Sequence, residues 1–130
     1  MQKTAINVAA AVIVHDRKVL LAKRRGGYLD NLWEFPGGKF EADESAGHAA
    51  HRELVEELDI RVTPGQTLLV LEHEYPDKTV RLHFVSCRLS ESLDRCLALT
   101  AANPEVSWFA PEHFPLGEFC PADRIAANRL

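Results

Sequence analysis

Between Pro36 and Ile60 the chain places Gly37-Gly38 ahead of a segment ending Arg52-Glu53-Leu54-Val55-Glu56-Glu57. If that segment is helical, Glu53, Glu56 and Glu57 share one face, because spacings of three and four residues bring Cβ atoms to within about 5–6 Å. Like charges that close repel. A plain surface helix separates such carboxylates or pairs each with a cation, whereas a divalent ion turns them into a hard oxygen-ligand set. The cluster therefore asks for a cation to fill its acidic face. The chain reads as a metal-dependent enzyme.

Local signals around the cluster agree with that demand. Ser45 is placed to cap a helix running to about Leu58, with Asp43 and Glu44 favourable near its positive end. Ala46, Ala50, Leu54 and Leu58 give it one apolar stripe beside the acidic face. Upstream, Leu32 to Phe35 is predicted to be extended, since the residue before Pro36 avoids the helical region. Gly37-Gly38 can then adopt backbone angles closed to other residues. Ala5 to Val14 and Lys18 to Lys23 predict a hairpin about His15-Asp16-Arg17, followed by a polar loop from Gly26 to Asn31. A second hairpin is expected from Leu68 to Tyr75 and Thr79 to Leu89, turning at Pro76-Asp77-Lys78. Val106 to Ala110 reads as a strand, and Pro121 to Leu130 as a closing helix with proline near its start.

A length of 130 residues fits one domain, 1–130, and the 46% hydrophobic and 26% charged content is that of an ordinary globular chain. The longest apolar stretch, Ile6 to Val14, is far short of the ~20 residues that span a bilayer. The N-terminus carries Lys3 without a signal-type cleavage region, so a cytoplasmic location is expected, with no membrane partner. Cys87, Cys96 and Cys120 show neither a disulfide nor a zinc spacing and are expected to be reduced structural thiols. The net charge of −4 lacks the basic footprint of a protein that binds duplex nucleic acid. A phosphate-bearing small molecule remains compatible if local cations and a metal offset the repulsion. A monomer and a homodimer are both open.

From Gly38 to Ile60 the chain resembles the Nudix box of the Nudix hydrolases, matching it at Gly38, Glu44, Arg52, Glu53, Leu54, Glu56, Glu57 and Ile60. The flanking Leu32-Trp33-Glu34-Phe35-Pro36-Gly37-Gly38-Lys39 and the later Glu74-Tyr75-Pro76-Asp77 and Cys120-Pro121-Ala122-Asp123 are similar to the MutT branch. The resemblance implies an α/β fold, an α/β/α sandwich around a mixed central β-sheet, and hydrolysis of a nucleoside diphosphate linked to another group. It further implies that Glu53, Glu56 and Glu57, with the Gly37 carbonyl, hold Mg²⁺ or Mn²⁺. Such an ion neutralises polyphosphate and lowers the pKa of bound water. Glu53 would orient or deprotonate that water. Arg52 would brace the acidic face, Glu44 would reach the metal indirectly or favour the helix start, and Arg24 and Lys39 would contact phosphates. Glu34, Phe35 and Asp123 would complete the substrate site, Phe35 by stacking on a base. An oxidised guanine nucleotide such as 8-oxo-dGTP is the leading substrate, with CTP or a modified pyrimidine triphosphate as the competitor.

Some positions depart from the family pattern. Asp59 replaces a helix-ending glycine and is expected in a left-handed conformation, which Asp tolerates better than most residues. Ala102 stands where many relatives carry a glutamate, so either Glu105 swings in from the loop or the helix carboxylates suffice. Asp123, if ionised, only accepts hydrogen bonds, which suits the N–H-rich edges of guanine, 8-oxoguanine or cytosine; alternatively it caps the terminal helix. His48, His51, His73 and His83 match no metal spacing and read as surface or packing residues. A non-enzymatic rival, an oxidised-guanine recognition domain, would lack the acidic box that is intact here.

Overall fold

Ala9, Ala10, Ala11, Val12 and Ile13 are all buried, which requires a strand covered on both faces. In the computed structural model, which describes residues 4–27 and 29–130, this run is the centre of a mixed sheet. Met1 to Lys3 and Tyr28 lie outside the described residues, as therefore do the Lys3 reading and one position of the Gly26–Asn31 loop. The strands are β1 (Ile6–His15), β2 (Lys18–Lys23), β3 (Trp33–Glu34), β4 (Gly37–Lys39), β5 (Val62–Tyr75), β6 (Lys78–Leu89) and β7 (Val106–Phe109). The helices are α1 (Ala46–Leu58), α2 (Leu93–Ala102) and α3 (Pro121–Ala127). None of them is long and apolar enough to cross a membrane.

β1 runs parallel to β6 from Ile6 opposite Val80 to Ile13 opposite Cys87, and antiparallel to β4 and to the start of β2. Its alternating side chains separate two cores. Ala9, Ala11 and Ile13 pack with Ala49, Ala50 and Leu54 of α1 and Cys96 of α2. Ala10 and Val12 pack on the opposite face with Trp33, Phe84, Phe119 and the α3 residues Ala122 and Ala126. Helices thus cover both faces of the sheet, the α/β/α sandwich with a mixed central sheet that the resemblance implied. Small residues on β1 let these layers close on it.

Some local outcomes differ from the sequence reading. The first turn is two residues, Asp16 and Arg17, both at positive φ (50° and 62°), the hairpin geometry that matches strand twist. β5 begins at Val62, six residues before the expected start, because the Pro64–Leu69 stretch is absorbed by register irregularities on an edge strand. α3 ends at Ala127 rather than Leu130. α2 was absent from the sequence reading. Its Ser92 cap accepts from Arg95 N at 3.3 Å, yet its short apolar pattern gains meaning only where Cys96 meets the core. All three cysteines are buried free thiols.

Leu54, 1% exposed, joins α1 to the first core. Truncating such a side chain removes apolar burial and leaves a cavity, so Leu54→Ala should lower stability by about 2–5 kcal/mol in chemical denaturation. A loss under about 1 kcal/mol would show that α1 is not anchored there.

Candidate active site

The acidic helix is held at both ends. Ser45, extended at φ −80° and ψ 163°, accepts from His48 N at 3.1 Å, the expected N-cap. At the other end Asp59 is left-handed, φ 56° and ψ 36°, and its amide reaches the carbonyls of Leu54 and Val55. Where a glycine would only relax the backbone, the Asp59 carboxylate also accepts from Arg95 Nη2 at 2.5 Å and Arg61 Nη1 at 3.1 Å. Those cations hold its carboxyl below the usual range, the hydrogen bond from Arg61 being the largest cause. Glu91 anchors Arg95 in turn at 2.8 Å.

Arg52 organises the acidic face. Its Nε and Nη2 donate to the two oxygens of Glu44 at 2.7 and 2.9 Å, a bidentate pair, and Nη2 also donates to Lys39 O at 2.8 Å. Its Nη1 donates to Glu53 at 3.0 Å and to Glu56 at 3.2 Å. Glu44, only 5% exposed at its side chain, also accepts from Glu41 N at 2.7 Å. The hydrogen bonds from Arg52 and Glu41 push its carboxyl down to about 2. Glu44 is therefore ionised throughout the neutral range and acts on Arg52 rather than lying free at the helix start.

The glycine turn makes room for this face. A Cβ on Gly37 would strike the Ala9 carbonyl, and a Cβ on Gly38 would lie 2.5 Å from Glu53 Oε2. β4 can thus lie against β1 while the Glu53 carboxylate occupies the space a side chain would fill. Glu57 is pushed up to about 8, first by burial and then by a hydrogen bond and repulsion from Glu53. The adjacent Glu53 and Glu57 carboxylates, beside a cradle without side chains, form an oxygen donor set that fits a divalent cation. Glu53 and Glu57 line a cavity of about 640 Å³, whereas Glu56 borders a neighbouring hollow.

The same cavity collects Arg24, Glu34, Phe35, Gly37, Lys39 and Asp123. Two expectations need correction there. The Phe35 ring cannot present a face to a base as it stands: the residue is 4% exposed, edge-on to Phe84 at 5.4 Å and stacked with Phe119 at 6.2 Å. Its contribution is the backbone, whose amide donates to Asp123 Oδ2 at 2.9 Å. Asp123 makes that bond across 88 positions while α3 has no side-chain cap bond, so helix capping does not describe it. Burial at 3% exposure, then repulsion from Glu34, raises the Asp123 carboxyl well above its ordinary value, which favours the protonated form that can donate as well as accept. Burial likewise raises Glu34, opposed by Arg24 at 3.5 Å.

Glu105 also borders the cavity, but it is ion-paired to Arg25. Its main chain receives Lys23 N at 2.7 Å. Three of the histidines have local partners: His83 meets Asn7 Oδ1 at 3.0 Å, His51 Nδ1 accepts from Val62 N at 3.4 Å, and His73 stands edge-on to Tyr75. Sequence reasoning missed Arg25 and Arg95, which pair with Glu105 and Asp59 far along the chain, and read Cys120 as a reduced structural thiol without placing it at the cavity, which it lines with Asp123.

Residues 5–129 match the NUDIX domain, and the chain belongs to the NUDIX family of hydrolases acting on phosphoric anhydride bonds. It is similar to the 8-oxo-dGTP diphosphatase of Haemophilus influenzae, 31% identical with 100% of this chain and 94% of that protein covered. The 8-oxo-dGTP diphosphatase of Proteus vulgaris is 36% identical, covering 65% of this chain and 77% of that protein. The CTP pyrophosphohydrolase of Escherichia coli is 44% identical over 60% of this chain, which spans 58% of that relative. Among solved structures, a MutT NUDIX hydrolase from Burkholderia pseudomallei superposes with TM-score 0.77 at 25% identity, covering 98% and 99% of the two chains. The solution structure of the E. coli ORF135 protein gives 0.74 at 32% identity, covering 97% and 88%. NUDIX hydrolases generally use divalent metal ions and act on small-molecule nucleotides.

Two outcomes follow from this geometry. If Glu57 holds the cation, a proton competes with it, and the metal concentration giving half-maximal turnover should fall as pH rises toward about 8 and level off above it. Metal titrations at several pH values measure this, and a flat profile would contradict it. Gly38→Ala should displace the Glu53 carboxylate and lower turnover at least about tenfold while circular dichroism stays unchanged; near-normal turnover would refute the cradle.

Proposed function

We propose that residues 1–130 act as a single catalytic domain, a Mg²⁺-dependent pyrophosphohydrolase of nucleoside triphosphates that removes oxidised nucleotides, with 8-oxo-dGTP as the leading substrate. The observation that carries the reading is one cavity lined by both the Glu53–Glu57 pair and the Glu34–Asp123 pair. The first suits cleavage of a polyphosphate and the second suits reading a base. Glu53, Glu56, Glu57 and the Gly37 carbonyl would hold the metal, which when bound neutralises phosphate charge and acidifies a water.

The chain's own groups would do the rest. Arg24 and Lys39 engage phosphate oxygens with charge-assisted hydrogen bonds. Glu53, fixed by Arg52 and by the Gly38 cradle, orients the attacking water and takes its proton. The water oxygen bonds to a phosphorus, the bridging P–O bond breaks, and nucleoside monophosphate and pyrophosphate separate. Arg52 and Glu44 are positioning residues, holding the carboxylates that repel one another.

At the base end, a neutral Asp123 donates to a base acceptor while Glu34 accepts from base N–H groups. That pairing serves the O6 and N1–H edge of an oxidised guanine. It serves the N3 and N4 amine of cytosine equally, so a CTP or modified pyrimidine reading is retained on this observation. The similarity to a CTP pyrophosphohydrolase also favours that second reading.

A side-by-side turnover panel of ordinary and oxidised nucleoside triphosphates decides between them. The expected result is preference for 8-oxo-dGTP; cytidine analogues outpacing it by more than about tenfold, roughly 1.4 kcal/mol in transition-state binding, would replace the leading substrate. Glu53→Gln and Glu57→Gln should each reduce turnover by about a hundredfold or more at saturating Mg²⁺. Unchanged turnover in both would overturn the mechanism.

A further inference from the structure

Cys120, Asp123 and Glu34 converge beside the proposed base site, in the cavity that Glu53 and Glu57 also line. Cys120 precedes α3 and Asp123 is its third residue, a spacing of three that brings helical neighbours together. β3 brings Glu34 to them: Trp33 bridges Phe119, and Cys120 N donates to Trp33 O at 2.9 Å. The Cys120 sulfur and one carboxylate oxygen from each acid lie within 4.8 Å of one another. Cys120 is 2% exposed and lines the cavity, yet its thiol hydrogen-bonds to no other residue among those described. A structural thiol normally packs as a small hydrophobe. This one faces two acids, and the nearest counter-charge, Arg24, is paired with Glu34.

We propose that Glu34, Cys120 and Asp123 form a second cation site, separate from the box carboxylates, which takes a thiophilic divalent ion such as Zn²⁺ and thereby shuts the base end of the cavity to nucleotide. Sulfur is what separates the two sites. Mg²⁺ demands oxygen ligands, whereas thiolate selects zinc-like ions. One thiolate and two carboxylates leave a fourth position of a tetrahedral ion open to the cavity. Around zinc, with bonds of about 2.0–2.3 Å, ligand atoms sit roughly 3.3–3.7 Å apart, so the trio must close by about 1 Å. Glu34, 26% exposed at its side chain, has room to make that movement. Burial and the neighbouring acids push the thiol up to about 12, and burial also raises the Asp123 carboxyl, so the incoming ion displaces the protons of both and releases them to solvent. Binding of the ion stands by itself, while its exclusion of nucleotide rests on the base-site reading above.

The probe is Co²⁺, whose bond to a thiolate gives a charge-transfer absorption, titrated into the full chain carrying Glu53→Gln and Glu57→Gln to silence the box. The expected result is one equivalent of absorbing Co²⁺, displaced by Zn²⁺, lost on adding Cys120→Ser and retained on adding Cys87→Ser. Glu34→Gln, at a partly exposed position, should weaken binding at least tenfold and tests the site even if Cys120→Ser does not fold. No thiolate band, or a band that survives Cys120→Ser, overturns the proposal. In the otherwise unsubstituted protein with Mg²⁺, Zn²⁺ should raise KM with little change in kcat, and Cys120→Ser should weaken that inhibition at least tenfold. If the Co²⁺ band forms but Zn²⁺ leaves KM unchanged, the cation site stands and the placement of the base beside it falls.

Discussion

The bonding around Arg52 is the constraint on which the rest of the site depends. Glu44, Glu53 and Glu56 would repel one another, and a single guanidinium reaches all of them while also donating to the Lys39 carbonyl. The last bond ties α1 to β4. It sets the acidic face and the glycine turn at a fixed distance, which a flexible lysine ammonium could not do because it lacks a planar fork. Glu44 is spent on holding Arg52, and that leaves Glu53 and Glu57 directed to the cavity. Glu57, which Arg52 does not reach, is the carboxylate whose charge stays least compensated, and beside Glu53 it would receive a cation.

That arrangement needs close layers. β1 contributes alanines where α1 and β4 approach, and Gly37 and Gly38 remove the side chains that would otherwise meet Ala9 and Glu53. The absence of side chains is here a functional feature, since it seats a carboxylate against a strand. The opposite face of the sheet uses aromatic residues instead, and Phe35 is held between Phe84 and Phe119. Its ring is thereby unavailable to a ligand while its amide is fixed for Asp123.

Legibility in the sequence followed the range of the interactions. The helix from Ser45 to Leu58, its cap and its left-handed Asp59 end were readable because each depends on residues within a turn or two. The two hairpins were readable for the same reason, apart from the early start of β5, where an edge strand tolerated Pro64. α2 was not, because its few apolar residues specify a helix only against the core they meet. Asp59 shows both sides of this. Its conformation was foreseeable, but its pairing with Arg95, 36 positions away, was not.

The sequence by itself determined the acidic helix and the family of chemistry, since the spacing of Gly38, Glu44, Arg52, Glu53, Glu56 and Glu57 is written within one contiguous segment. Only the tertiary structure decided the character of the cavity's other residues. The raised Asp123 carboxyl, the withdrawal of the Phe35 ring and the nearness of Cys120 to Glu34 all arise from burial and from contacts across the fold. Burial depends on what the rest of the chain places around a group, and no local pattern carries that information.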